Sequence, residues 1–291
     1  MRRDAPAFRE MYPFDSHYHT IDGIRLHYFD EGEGAPVVMV HGNPTWSFYF
    51  RRLAAALRGE RRVVAPDHVG CGFSDKPQAF DYTLDAHIRN LESLIESLDL
   101  EGVTLVLHDW GGAIGMGYAV RHPEKITRIV VLNTGAFYSP RIPFRINICR
   151  IPLFGAVVVR GLNGFARAAL TMAVYHRERI TPEVASGYLL PYDSWQNRVA
   201  LLRFVQDIPR RPEDASYSVL QEIDRGLAQF RETPMLIQWG ARDWCFDAAF
   251  LEGWRRRFPA AEADVYGDAA HYVLEDAHER IIPRVKEFLN R

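Results

Sequence analysis

At 291 residues, with 47% hydrophobic and 25% charged positions, the chain suits one large domain or one domain carrying an insertion, and its composition argues against disorder. A formal net charge of −2 provides no global positive field, so no nucleic-acid partner is expected. Cys71, Cys149 and Cys245 are odd in number and far apart, which argues against a disulfide framework or a structural zinc site. The N-terminus lacks an apolar secretory core and the apolar runs are too short for a membrane span, so the expected location is cytoplasmic.

In chain order, Ile24–Phe29 alternates and reads as an edge strand. Val37–Val40, Val63–Ala65, Val103–Leu107, Ile129–Leu132 and Met235–Gln238 are continuous Val/Ile/Leu/Met runs, the pattern of strands buried on both faces. Helical periodicity falls between them, over Trp46–Leu57, Leu84–Leu98, Gly112–Arg121, Ala248–Arg257 and Glu275–Leu289. This alternation predicts an α/β fold, a mostly parallel central sheet flanked by helices. It breaks after Phe137: no buried strand follows, and Pro143, Pro152, Pro182, Pro191 and Pro209 punctuate a stretch rich in Arg, Phe and Leu. Residues 138–212 are therefore expected to form a helical cap inserted into a discontinuous core of residues 1–137 and 213–291.

The most informative stretch is Val103-Thr-Leu-Val-Leu-His108-Asp109-Trp110-Gly111-Gly112. A buried strand meets a helix at a polar residue, and the small Gly111 and Gly112 just beyond it let strand and helix approach closely across a sharp turn. This is the shape of the nucleophile elbow G-x-S-x-G, with Asp109 in place of serine. A carboxylate there can attack an electrophilic carbon and form a covalent ester; the competing local reading makes Asp109 a helix N-cap. His41-Gly42-Asn43-Pro44 follows the strand Val37–Val40, where such a fold supplies one oxyanion-hole N–H; Asn43 and Trp110 are the expected backbone donors. Their side chains, an amide and an indole that donates only, are also suited to hold a leaving anion. His271, in Asp268-Ala-Ala-His271, follows an expected last strand and is the candidate base. Chain order makes Asp243, just past Met235–Gln238, its acid partner. Asp247 reads better as the N-cap of the next helix, and Asn133-Thr-Gly-Ala after Ile129–Leu132 offers no acid. The sequence holds no metal-ligand spacing and no GxGxxG after a strand, so neither metal nor organic cofactor is expected.

With these residues in place, the chain resembles the haloalkane dehalogenase family of α/β-hydrolases over nearly its whole length. The matching pieces are HGNPTWSFYFR (41–51), APDHVGCGFSDKP (65–77), HDWGGAIG (108–115), WGARD (239–243) and HYVLED (271–276). The resemblance is to the third subfamily of dehalogenases. It implies Asp109 as nucleophile, His271 as base, Asp243 as acid, and Asn43 with Trp110 as the leaving-anion site. The segments 191–198, 203–209 and 242–247 look particularly like the β-lactone decarboxylases of olefin biosynthesis, which lie beside that subfamily.

The reading preferred from sequence is therefore conversion of a cis-β-lactone to alkene and CO₂. Haloalkane hydrolysis is the alternative, and epoxide hydrolysis with Tyr175, Tyr188 or Tyr192 as proton donor is a third. The substrate is expected to be small and hydrophobic, possibly long-chain. Arg141–Arg179 carries seven arginines against the single acid Glu178, interleaved with Phe144, Ile148, Leu153, Phe154 and Val157–Val159. That pattern fits either a solvated face over the cap or a basic, apolar surface for a membrane or a partner enzyme.

Overall fold

The computed structural model describes residues 2–291. After a short helix α1 (Pro6–Met11), β1 (His17–Ile21) and β2 (Ile24–Glu31) form a hairpin, followed by β3 (Pro36–Val40), α2 (Arg51–Leu57) and β4 (Arg62–Pro66). Then come α3 (Leu84–Ser97), β5 (Val103–Asp109), α4 (Trp110–Arg121) and β6 (Ile126–Thr134). Five helices separate β6 from β7 (Met235–Gly240): α5 (Phe144–Ile148), α6 (Gly164–Met172), α7 (Pro182–Leu189), α8 (Val199–Asp207) and α9 (Tyr217–Gly226). The chain closes with α10 (Ala248–Arg257), β8 (Glu262–Tyr266) and α11 (Val273–Leu289). No helix among the described residues is long and apolar enough to cross a membrane.

The eight strands lie in the order β1-β2-β4-β3-β5-β6-β7-β8. Only the pairs involving β2 are antiparallel. This is the α/β-hydrolase fold expected from the sequence. The continuous apolar runs are explained by burial on both faces: Met39, Val106, Val130 and Leu236 join one core, while Val38, Leu105, Val131 and Ile237 join the other. Side chains that alternate across the sheet thus enter two cores, so both faces select apolar residues, and the buried Gln238 on β7 is accommodated by hydrogen bonds with Asp264 and Tyr266. Strand order reverses around β3, so the loops after β3 and β5 splay apart and leave a crevice at the sheet's carboxyl edge.

Four elements depart from expectation, the first being β2, read as an edge strand but lying between β1 and β4. The hairpin strand β1 is mostly exposed and reads His-Tyr-His-Thr-Ile, so it lacks the apolar alternation that marks a strand. Asp22 and Gly23 adopt positive φ of 49° and 80° between the two strands, as tight hairpins require. The expected helix Trp46–Leu57 is a tight turn over Ser47–Phe50 followed by α2. Helix α9 was not anticipated; it packs on α4 and α3, outside the run of helices α5–α8.

Candidate active site

Asp109 closes β5 with φ 53° and ψ −126°, a left-handed φ that a side-chain-bearing residue rarely adopts. The turn is made possible by missing side chains. A Cβ on Gly111 would lie 1.9 Å from the Val40 carbonyl oxygen, and one on Gly112 1.9 Å from Thr134 Oγ1. A Cβ on Gly42 would lie 2.0 Å from Asp109 Oδ1, so the loop after β3 can close on the carboxylate only with glycine there. Thr134 Oγ1 donates to the Asp109 carbonyl and ties the elbow to β6.

The Asp109 side chain makes no capping bond to α4. Instead Oδ1 accepts the Asn43 backbone N–H at 2.6 Å, and Oδ2 lies 3.4 Å from His271 Nε2. The other imidazole nitrogen, Nδ1, donates to Asp243 Oδ2 at 2.8 Å. Asp243 is fully engaged: Oδ1 accepts the N–H groups of Cys245 (2.7 Å) and Phe246 (3.1 Å), and Oδ2 also accepts Asn133 Nδ2 at 3.0 Å. Asp247 caps α10 through Ala249 N.

All three ionisable groups are buried. Burial would lower the basicity of His271, but the charges and hydrogen bonds of Asp243 and Asp109 outweigh it and raise its pKa to about 10. Burial would likewise raise the Asp109 carboxyl; the His271 hydrogen bond and charge, with the Asn43 N–H, hold it below its usual range. The resting site is therefore a carboxylate–imidazolium pair at neutral pH.

Asn43, Asp109, Trp110 and His271 line one cavity of about 670 Å³. Its remaining wall is largely apolar, including Phe137, Ile142, Ile146, Phe165, Val205 and Trp244. The Asn43 amide gives one N–H to the Leu201 carbonyl on α8 at 3.0 Å; its second N–H is the donor left for a ligand. Of the tyrosines considered for epoxide opening, none lines the cavity: Tyr188 donates to Glu275, Tyr192 to the Thr45 carbonyl, and Tyr175 is half-exposed.

Several supporting residues were not singled out from sequence. Asn133, at φ 33°, bridges β6 to the loop after β7: it accepts Gly240 N at 2.7 Å and donates to Asp243. His108 donates from Nε2 to the His271 carbonyl at 2.9 Å; burial lowers its pKa to about 3, so it serves as a neutral brace. His41 is also buried, donating to the Gly42 carbonyl and accepting His68 N, which pins the loop that carries Asn43. The position of Asn133 directly after the apolar run Ile129–Leu132, at the sheet's carboxyl edge, was the available signal. One further cluster joins Glu92 and Glu96, one turn apart on α3, to His122 at the end of α4, a pairing across helices that sequence spacing does not reveal. It lies at the far end of α4, about 18 Å along that helix from Trp110, with His122 already paired to Glu92.

Comparison with known proteins places this geometry among relatives. A family model described as alpha/beta hydrolase fold matches residues 35–151. The chain is 47% identical over 283 residues to a cis-3-alkyl-4-alkyloxetan-2-one decarboxylase of Shewanella oneidensis, covering 95% of this chain and 89% of that protein. It is 30% identical to haloalkane dehalogenase 2 of Mycobacterium tuberculosis, covering 96% of each chain. Among solved structures, the haloalkane dehalogenase DatA from Agrobacterium tumefaciens superposes with a TM-score of 0.86 at 27% identity, over 95% of this chain and 96% of that one.

Proposed function

The chain belongs to the α/β-hydrolase family of cis-3-alkyl-4-alkyloxetan-2-one decarboxylases and haloalkane dehalogenases, and on that premise we propose that it is a β-lactone decarboxylase working through a covalent ester on Asp109. The observation that carries the reading is the division of labour between the two Asp109 oxygens. Oδ1 is held by the Asn43 N–H while Oδ2 faces His271, beside an apolar cavity that suits an alkyl-substituted substrate. Identity of 47% to a decarboxylase against 30% to a dehalogenase favours the lactone over the haloalkane.

In the proposed reaction, an Asp109 oxygen attacks the sp³ β-carbon of the lactone ring, which carries the ring oxygen. The C–O bond breaks, an alkyl ester forms on Asp109, and the ring oxygen leaves as part of a free carboxylate. Asn43 and Trp110 are the donors for that developing anion. Breaking the bond between the carboxylate and its α-carbon then releases CO₂. The electron pair forms the C=C bond and expels the Asp109 carboxylate, which regenerates the enzyme without consuming water. In the dehalogenase alternative, halide leaves first, and His271 must activate water to hydrolyse the ester.

A cis-β-lactone and a bromoalkane, assayed side by side with wild type and Asp109→Ala, test this reading. We expect alkene plus CO₂ from the lactone, weak or absent halide release, and no turnover in the folded variant. Single turnover in H₂¹⁸O should leave Asp109 unlabelled on the elimination path. Hydroxy acid as the only lactone product, with brisk bromoalkane turnover and label entering Asp109, replaces the decarboxylase with a dehalogenase.

A further inference from the structure

Large apolar side chains are exposed on one stretch of this molecule far more than elsewhere. Within residues 144–162, Leu153 is 82% exposed, Phe144 75% and Leu162 67%, with Ile151, Phe154 and Val157 about half exposed. Leu153 sits at a positive φ of 64°, an unfavourable conformation for a branched residue, at the turn between α5 and the wide helical turn Ala156–Gly161. The inner side of the same stretch, through Ile146, Ile148 and Val158, lines the cavity that holds Asp109.

The charge of this stretch is as one-sided as its polarity. Carboxylate pairing occurs only at its ends, Arg141 with Asp247 and Arg179 with Glu279. Between them Arg145, Arg167 and Arg177 are exposed and have no carboxylate partner among the described residues, whereas Arg150 and Arg160 are half-buried and donate to the Val205, Ile208 and Trp195 carbonyls; no Asp or Glu lies between 141 and 177. The face is thus apolar and cationic on a chain whose net charge is −2.

We propose that this face docks on an anionic lipid bilayer. Charge complementarity selects the occupant: arginines interleaved with apolar side chains match acidic headgroups above an acyl layer. A second copy of the chain is a poor fit, because a twofold contact through this face would bring arginines against arginines. The apolar residues protrude separately, and a fluid bilayer accommodates protruding side chains without preformed pockets. Docking here would set the cavity wall against the phase into which an apolar substrate partitions. The proposal stands apart from the chemistry assigned to Asp109, since binding is measured without substrate.

The experiment is co-sedimentation of the full chain with vesicles of phosphatidylcholine alone or mixed with phosphatidylglycerol, at about 50 and about 200 mM salt. We expect wild type to sediment with the anionic vesicles and to be partly released by salt. Phe144→Ser/Leu153→Ser/Leu162→Ser should weaken binding at least ~10-fold at both salt levels. Arg167→Gln/Arg177→Gln should weaken it about fivefold per arginine at low salt, with little effect on phosphatidylcholine. Thermal unfolding and circular dichroism confirm that each variant is folded. Absence of sedimentation at low salt overturns the proposal. So does binding that neither set of substitutions changes, or capture of the face by an acidic protein with no affinity for vesicles.

Discussion

His271 stands between two carboxylates, and its charge state separates the two chemistries open to this site. With Asp109 free, the imidazole is held up at about 10 and is protonated at neutral pH. Esterification of Asp109 removes one of its two anionic partners, so its pKa falls and it becomes a competent base. Ester hydrolysis should then rise with pH, whereas elimination from the β-lactone ester needs no base. We predict an alkene-forming kcat that is flat between about pH 6 and about pH 9. Any bromoalkane hydrolysis by the same enzyme should increase over that range, and alkene formation rising in parallel would assign His271 a proton-transfer role in both. The pair also links to stability. His271, raised above its usual 6.5, contributes stability that is fully present below about pH 6.5 and lost as pH rises through about 10. Asp109, held below 3.8, contributes stability present above that value and lost as pH falls through its lowered one. The Tm deficit of His271→Gln should therefore be greatest below pH ~6.5 and shrink towards pH ~10. A second residue-level prediction concerns Asn133, which holds Asp243 and the β7 backbone together. Asn133→Ala leaves a buried N–H without an acceptor and should cost about 1–3 kcal/mol in denaturant unfolding. It should also lower kcat, because Asp243 loses one of its four donors.

Asp276 joins elements that the sequence keeps apart. It is buried at the start of α11, and its carboxylate accepts the N–H of Ala270, the residue just before His271, at 2.8 Å. The same carboxylate accepts Tyr175 N at 2.9 Å and His176 N at 2.8 Å, from the segment between α6 and α7. Nearby, Glu275 accepts both Arg51 guanidinium nitrogens from α2 and the Tyr188 hydroxyl from α7. Two successive residues of α11 thus fasten the inserted helices to the loop that bears His271. Helical periodicity marks Ile281, Val285 and Leu289 as the buried face of α11, but it gives no reason for two acids to be buried at its start. That reason lies in partners about 90 to 220 residues away. Asp276→Asn substitutes a donor for one acceptor oxygen among these N–H groups. We predict a loss of about 1–3 kcal/mol, read as a lower Tm, and faster hydrogen exchange at the amides of Ala270, Tyr175 and His176. Unchanged exchange at those amides would mean that the clamp is not what holds the two segments together.

At the scale of the whole molecule, the cavity has walls from both the sheet edge and the inserted helices, so its volume reflects how the two meet. About 670 Å³ of mostly apolar space accommodates alkyl substituents whose burial contributes roughly 0.8 kcal/mol per methylene. For a series of β-lactones of increasing alkyl length, kcat/KM should rise about fourfold per methylene until the cavity is filled, then level off. A series with no length dependence would place the alkyl groups outside the cavity. The same inserted helices present the arginine-rich outer face, so one segment shapes both the interior that receives substrate and the exterior that meets its surroundings.

The amino-acid sequence by itself determined the buried parallel strands, the elbow at Asp109 and the order in which Asn43, Asp109, Asp243 and His271 arrive at one edge of the sheet. These follow from local rules: a Val/Ile/Leu run bounded by turn residues suits a strand buried on both faces, and the small Gly111 and Gly112 beyond Asp109 and Trp110 let strand and helix meet in a sharp turn. Strand β1 escaped because an exposed edge carries no such pattern, and α9 because nothing in the stretch before β7 set it apart. Only the tertiary structure decided which side chains meet. It brought Asn133 to Asp243, His108 to the His271 carbonyl, and Asp276 to Tyr175 and His176. It also divided residues 144–162 into a cavity wall and an exposed face. Such pairings depend on strand order and on the packing of distant helices, and residues far apart in sequence carry no local pattern that records them.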